Sequence, residues 1–108
     1  MRILKISEDF SDTPGGRSRK EGEYSGEEFR DVVLAPIYKE CLANGEILCI
    51  DFDDCFGFGT SFLEEAFGGL VREYKYKDVW NHIKLIANDD ETILENIQKY
   101  IKAAEAKL

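Results

Sequence analysis

The sequence predicts a single α/β domain, residues 1–108, with a largely parallel or mixed sheet of about four strands and helices packed against it. Three observations carry this. Short apolar runs alternate with amphipathic stretches of helical period, in the order strand, loop, helix, strand, helix, strand, helix. The helical stretches open on capping signals and end at turn residues. The 108 residues, 44% hydrophobic and 33% charged, suffice for one core without disulfide staples.

Met1–Ser7 alternates weakly, with Ile3, Leu4 and Ile6 apolar, and reads as the first strand. Residues 8–26 are polar and carry Pro14, Gly15, Gly16, Gly22 and Gly26, a long loop or hairpin. Within it Gly15-Gly16-Arg17-Ser18-Arg19 offers backbone N–H groups and the guanidiniums of Arg17 and Arg19 to an anion. A solvated hairpin accounts for the same residues. The spacing is not that of a Walker loop.

Ser25–Glu28 is a capping box, with Ser25 at the N-cap and Glu28 at N3. The helix it opens has the stripe Phe29, Val32, Val33, Ile37, Cys41 and Leu42. Pro36 is expected to kink or split it, and Asn44-Gly45 to close it. The apolar run Ile47–Ile50, ending in Asp51, predicts a buried central strand over Glu46–Phe52. An acidic, glycine-bearing turn follows. The next helix starts at Thr60 or Ser61, with Ser61–Glu64 as a second capping box. Phe62, Leu63, Ala66, Phe67, Leu70 and Val71 form its apolar side. Gly68-Gly69 implies a close backbone contact with the sheet or an early helix end. After a charged connection, Glu73–Asn81, the third strand is His82–Ala87. Asn88 with Glu91 is expected to cap a last helix with the stripe Ile93, Leu94, Ile97, Tyr100, Ile101 and Ala104.

Charge and cysteine usage restrict function. The net charge is −8, and the best basic cluster, Arg17–Lys20, runs at once into Glu21 and Glu23, so no nucleic-acid partner is expected. The three cysteines, Cys41, Cys49 and Cys55, show no C-x-x-C spacing, and His82 is the single histidine, so no metal or other cofactor is expected. Cys41 and Cys49 read as small core residues in a reducing compartment. No charged-then-apolar leader opens the chain and no apolar run approaches about 18 residues. A cytoplasmic protein with no membrane contact is the expectation.

The loop leaving a central strand's carboxyl end is the usual seat of function in an open α/β sheet. Any recognition or chemistry is therefore expected between Asp51 and Glu65. There the run I-D-F-D-D-C-F-G-F-G-T-S-F-L resembles the segment of STAS domains (sulfate transporter and anti-sigma factor antagonist) that reads hydrophobic-D-L, spacer, D-S-S-G-L. Asp51 falls on the strand-ending Asp, Thr60 and Ser61 on the hydroxyl pair, and Leu63 on the Leu. Gly59 stands where the family has Asp before the pair, and Phe62 where it has Gly. F-S-x-x-P-G-G-R, S-G-E-E-F-R and S-F-L-E-E-A-F-G-G-L-V-R, spanning Phe10 to Arg72, resemble more closely a small bacterial STAS-like family of unknown function. The resemblance implies a STAS-like fold and a regulatory, protein-binding role like that of anti-sigma factor antagonists. It implies a histidine-kinase-like ATPase as partner and Ser61, with Thr60, as the phosphorylated switch.

At Ser61 a phosphate would meet a helix N-terminus, while Asp51, Asp53, Asp54, Glu64 and Glu65 would repel it. Capping alone also explains Ser61. Phe56 and Phe58, framed by these acids, suit a partner surface in an interaction protein without a switch, encoded by a cell, a phage or a mobile element. A third reading takes Asp51-Phe52-Asp53 as the D-x-D of a Mg²⁺-dependent phosphotransferase, with Asn88-Asp89-Asp90 completing the site; no lysine is clearly placed for the phosphoryl group, although Lys75 and Lys77 are available in the connection. The chain is short for such an enzyme, and the expectation is that it is not one.

Overall fold

A computed structural model describes all residues, 1–108. Strands β1 (Arg2–Lys5), β2 (Leu48–Asp51) and β3 (Ile83–Ile86) form a parallel sheet in the order β1-β2-β3. β2 is internal, as its apolar run predicts: Leu48, Cys49 and Ile50 are all buried. The sheet has three strands, not about four. Residues 8–26 supply none, because Pro14 and the glycines interrupt any ladder. That stretch begins within a short helix α1 (Ile6–Asp9) and contains one 3₁₀ turn, Arg19–Glu21.

The register aligns Leu4, Ile50 and Leu85 across one face. This face meets the helices in a core that includes Phe29, Phe62, Phe67, Leu70 and Ile97. The opposite face carries Ile3, 65% exposed, and Lys84, also exposed.

Helix α2, residues 26–44, runs as Gly26–Glu28, a π-helical stretch Phe29–Leu34, and Ala35–Asn44. Ser25 caps it, its hydroxyl accepting from the Glu28 N–H at 3.0 Å. Pro36 does not split it. The π turn shifts the ladder by one residue, with the Ala35 N–H on the Arg30 carbonyl, and Leu34 and Ala35 keep right-handed torsions. The helix ends at Gly45 in a left-handed conformation, φ 67°.

Helix α3, residues 60–74, is likewise continuous through a π-helical stretch, Glu64–Gly68. Helix α4 (Thr92–Glu105) buries Ile93, Ile97, Ile101 and Ala104 of the expected stripe and leaves Leu94 and Tyr100 partly buried. Its start differs from expectation. Asp90 Oδ1 accepts from the Thr92 N–H (3.0 Å) and hydroxyl (2.6 Å), while the Asn88 side chain goes to Asp53 and Glu91 forms no side-chain cap. No helix is long and apolar enough to cross a membrane.

Candidate functional site

Parallel strands deliver their carboxyl ends to one edge, and here those ends are polar. Lys5 and Asp51 share a register row. Lys5 Nζ lies 2.9 Å from Asp54 Oδ2 and 3.4 Å from Asp51 Oδ2. Asp51 Oδ1 accepts from the Asp53 N–H at 2.9 Å. Asp53 in turn accepts from the Asn88 amide (2.9 Å) and the Asp89 N–H (3.0 Å), and Asp89 Oδ2 accepts from the Asp54 N–H (3.1 Å). The Asp89 N–H, with help from Asn88, holds the Asp53 carboxyl below its usual range. These carboxylates latch the loop after β2 to the loop after β3. Of the residues of the D-x-D reading, Asp51, Asp53, Asn88 and Asp89 come together while Asp90 bonds Thr92, and Asp53 spends both oxygens on the latch. The cation among them is Lys5 rather than Lys75 or Lys77.

The same loop is pinned on its other side. The Phe56 N–H donates to the Asp12 carbonyl at 2.8 Å, and Cys55 Sγ lies 3.6 Å from the Ser11 carbonyl oxygen. Burial pushes the Cys55 thiol up to about 11. The two aromatics part company. Phe58 folds inward, its ring 5.3 Å from Phe52 and 5.7 Å from Phe62. Phe56 is 85% exposed, so a latched loop holds one large apolar side chain in water.

Gly59 is the N-cap of α3, with φ −72° and ψ 149°, and offers no side chain to the free N–H groups. Thr60 and Ser61 are the first two helical residues, both exposed. The expected Ser61–Glu64 capping box does not form. A capping side chain must sit on the extended residue before the helix, and Ser61 is already inside it.

Glu64 is engaged elsewhere, in a cluster the sequence reading missed. Arg17 Nη1 bonds Glu64 (2.7 Å) and Glu65 (3.2 Å). Arg72 bonds Glu64 at 2.5 Å. Arg30, only 5% exposed, pairs with Glu65 and, at 2.9 Å, with Asp31. Tyr74 donates its hydroxyl to Asp31 at 2.9 Å. The Arg72 hydrogen bond, then that of Arg17, holds the Glu64 carboxyl below its usual range. Burial pulls Asp31 upward, but its bonds to Arg30 and Tyr74 outweigh this and leave it low.

This cluster explains Gly68-Gly69. The helix neither ends there nor touches the sheet there. A Cβ on Gly69 would lie 2.5 Å from Arg30 Nη1, and one on Gly68 would collide with Glu64 Oε2. The glycines leave room for these ion pairs, of which Arg30–Glu65 is the more buried. A signal existed in the sequence: Glu64, Gly68 and Arg72 recur every four residues, as do Glu65 and Gly69, a polar and small stripe on one helix face.

Arg17 therefore pairs with two carboxylates while its side chain stays 40% exposed. Arg19 has an exposed side chain, and its backbone N–H donates to Glu27 at 3.0 Å. Of the residues expected to meet a partner, Phe56, Asp54, Thr60 and Ser61 lie at the surface, Asp51, Asp53 and Phe58 are half-buried, and Glu64 and Glu65 belong to the arginine cluster.

Residues 25–92 match the profile of a family described as a STAS-like domain of unknown function (DUF4325). The matched span holds α2, β2, the latched loop, α3 and β3. No curated protein and no solved structure matches the chain.

Proposed function

This chain belongs to the STAS-like domain family of unknown function, and on that premise we propose that it is a small, non-enzymatic regulatory module that docks a protein partner. The edge from Phe56 to Ser61 is the docking surface. One observation carries the reading: Phe56 is held 85% exposed by a loop whose flanks are fastened to Asp12 and to Asn88–Asp89. A loop whose backbone is already fastened loses little freedom on binding. Burying it in a partner contributes roughly 1.5–3 kcal/mol.

The resemblance to anti-sigma factor antagonists supports a histidine-kinase-like ATPase as that partner, and Ser61 as the residue it phosphorylates. The geometry favours such a switch more than the sequence does. Ser61 is exposed in the first turn of α3, where free N–H groups and the helix dipole favour a phosphate. Glu64 and Glu65, expected to repel the phosphate, are neutralised by Arg17, Arg30 and Arg72. Because the Ser61 hydroxyl caps nothing, phosphate addition would alter the surface without unfolding the helix.

Photo-crosslinking tests the reading. A benzophenone amino acid at position 56 should capture a histidine-kinase-like ATPase from the native host, and the same probe at Val32, also exposed, should not. Purified with ATP, that ATPase should place phosphate on Ser61, read by mass spectrometry. Equal capture from both positions, or full affinity in Phe56→Ser, refutes the docking surface. An unphosphorylated Ser61 retires the switch alone.

A further inference from the structure

Strand β3 is an edge, and its outer side is open. The Phe52 N–H donates to the Ile86 carbonyl at 2.8 Å, so Ile86, and by alternation Lys84, turn their backbone groups to β2. Ile83 and Leu85 must then turn theirs outward, where no strand pairs with them. Beside this edge lies a cavity of about 450 Å³ between β3 and the first turns of α4. Leu85, Ala87 and Leu94 supply its apolar lining, and the exposed Glu91 and Glu95 stand at its rim. No cation of the chain pairs with either carboxylate. The opposite edge, β1, differs: Arg2 and Lys5 are both already in ion pairs, with Glu40 and with Asp51 and Asp54.

An open backbone ladder asks for a strand, an apolar lining for an apolar side chain, and two unpaired carboxylates for cations. A second copy of this chain answers poorly, because each copy carries −8. We propose that the β3 edge is a strand-addition site for an extended, basic segment of a partner protein. The segment enters as a fourth strand, with an apolar side chain in the cavity between two basic ones that meet Glu91 and Glu95. Backbone pairing supplies affinity, and the cavity and carboxylates supply selectivity. This surface is separate from Phe56 and does not depend on the docking reading above.

The test uses the full chain and a synthetic heptapeptide, Thr-Lys-Thr-Val-Thr-Lys-Thr, which places Lys, Val and Lys on one face of a strand. It should bind saturably and protect the Leu85 amide from hydrogen exchange. The Glu-Val-Glu counterpart should bind at least about tenfold more weakly, and Glu91→Lys with Glu95→Lys should reverse that preference. Methylating one alternate set of peptide amides should abolish binding, and methylating the other set should leave it intact. Equal binding of the two peptides removes the charge selectivity. Indifference to both methylation sets shows adsorption without a ladder. No binding of the lysine peptide at millimolar concentration also overturns the proposal.

Discussion

Replacing Gly69 by alanine reads the arginine cluster directly, because two effects of opposite sign meet there. In an exposed helix interior, Gly→Ala stabilises by about 1 kcal/mol. At Gly69 the new Cβ would sit 2.5 Å from Arg30 Nη1, 3.1 Å from Arg30 Cδ and 3.2 Å from Glu65 Oε2. Arg30 has little room to yield, since its side chain is 6% exposed and pinned between Asp31 and Glu65. Moving it parts a buried pair, which costs about 3–5 kcal/mol when one partner is lost. After crediting the helix gain, Gly69→Ala should cost about 2–4 kcal/mol, at roughly 4–8 °C of Tm per kcal/mol for a domain near this size. Thermal and urea melts followed by circular dichroism measure it. The decisive arm is the double variant: with Arg30→Met in place, adding Gly69→Ala should be neutral or stabilising. A raised Tm in the single variant, or the same loss with Arg30 gone, refutes the account of why these glycines are there.

The remaining predictions concern the site's edges. Ser61→Ala should change stability by less than about 0.5 kcal/mol, whereas Gly59→Ser, which supplies the missing cap, should gain a few tenths; a loss above about 1 kcal/mol for Ser61→Ala in the same melts would restore Ser61 as the cap. Phe56→Ser should leave the melt unchanged, while Phe58→Ser, removing a ring packed on Phe52 and Phe62, should cost about 2 kcal/mol or more; equal effects would mean the two rings are not divided between surface and core. Acid should also weaken the fold. The Arg72 and Arg17 hydrogen bonds depress Glu64 below its ordinary 4.5, so its contribution is complete above that pH and is lost as pH falls through the folded value. Urea melts from about pH 6 to pH 3 should therefore show a shallower decline in Glu64→Gln than in the native chain, and parallel declines would remove Glu64 from the linkage.

Local chemistry sufficed for what depends on neighbours in the chain. The Ile47–Ile50 run specified a buried internal strand, Ser25 and Glu28 the start of α2, Asn44-Gly45 its end, and the 93–104 stripe the buried face of α4. Periodicity and capping act within a few residues, so they can be read directly. The turn after β2 was legible for the same reason, since an acidic, glycine-bearing stretch ends a parallel strand.

Tertiary structure decided the rest. S-x-x-E occurs at Ser61 as at Ser25, yet only Ser25 caps, because helix entry at Gly59 depends on where the latched loop delivers the chain. Phe56 and Phe58 are equivalent in sequence, and only the packing of Phe52 and Phe62 sends one ring inward and leaves the other in water. Pro36 reads as a break, and the π turn before it absorbs the missing N–H. Arg17, Arg30 and Arg72 are far apart in the chain and look like solvated charges. They become one cluster with Glu64 and Glu65 because α2, α3 and the residue 8–26 loop pack together, and a charge finds its partner through space rather than along the sequence.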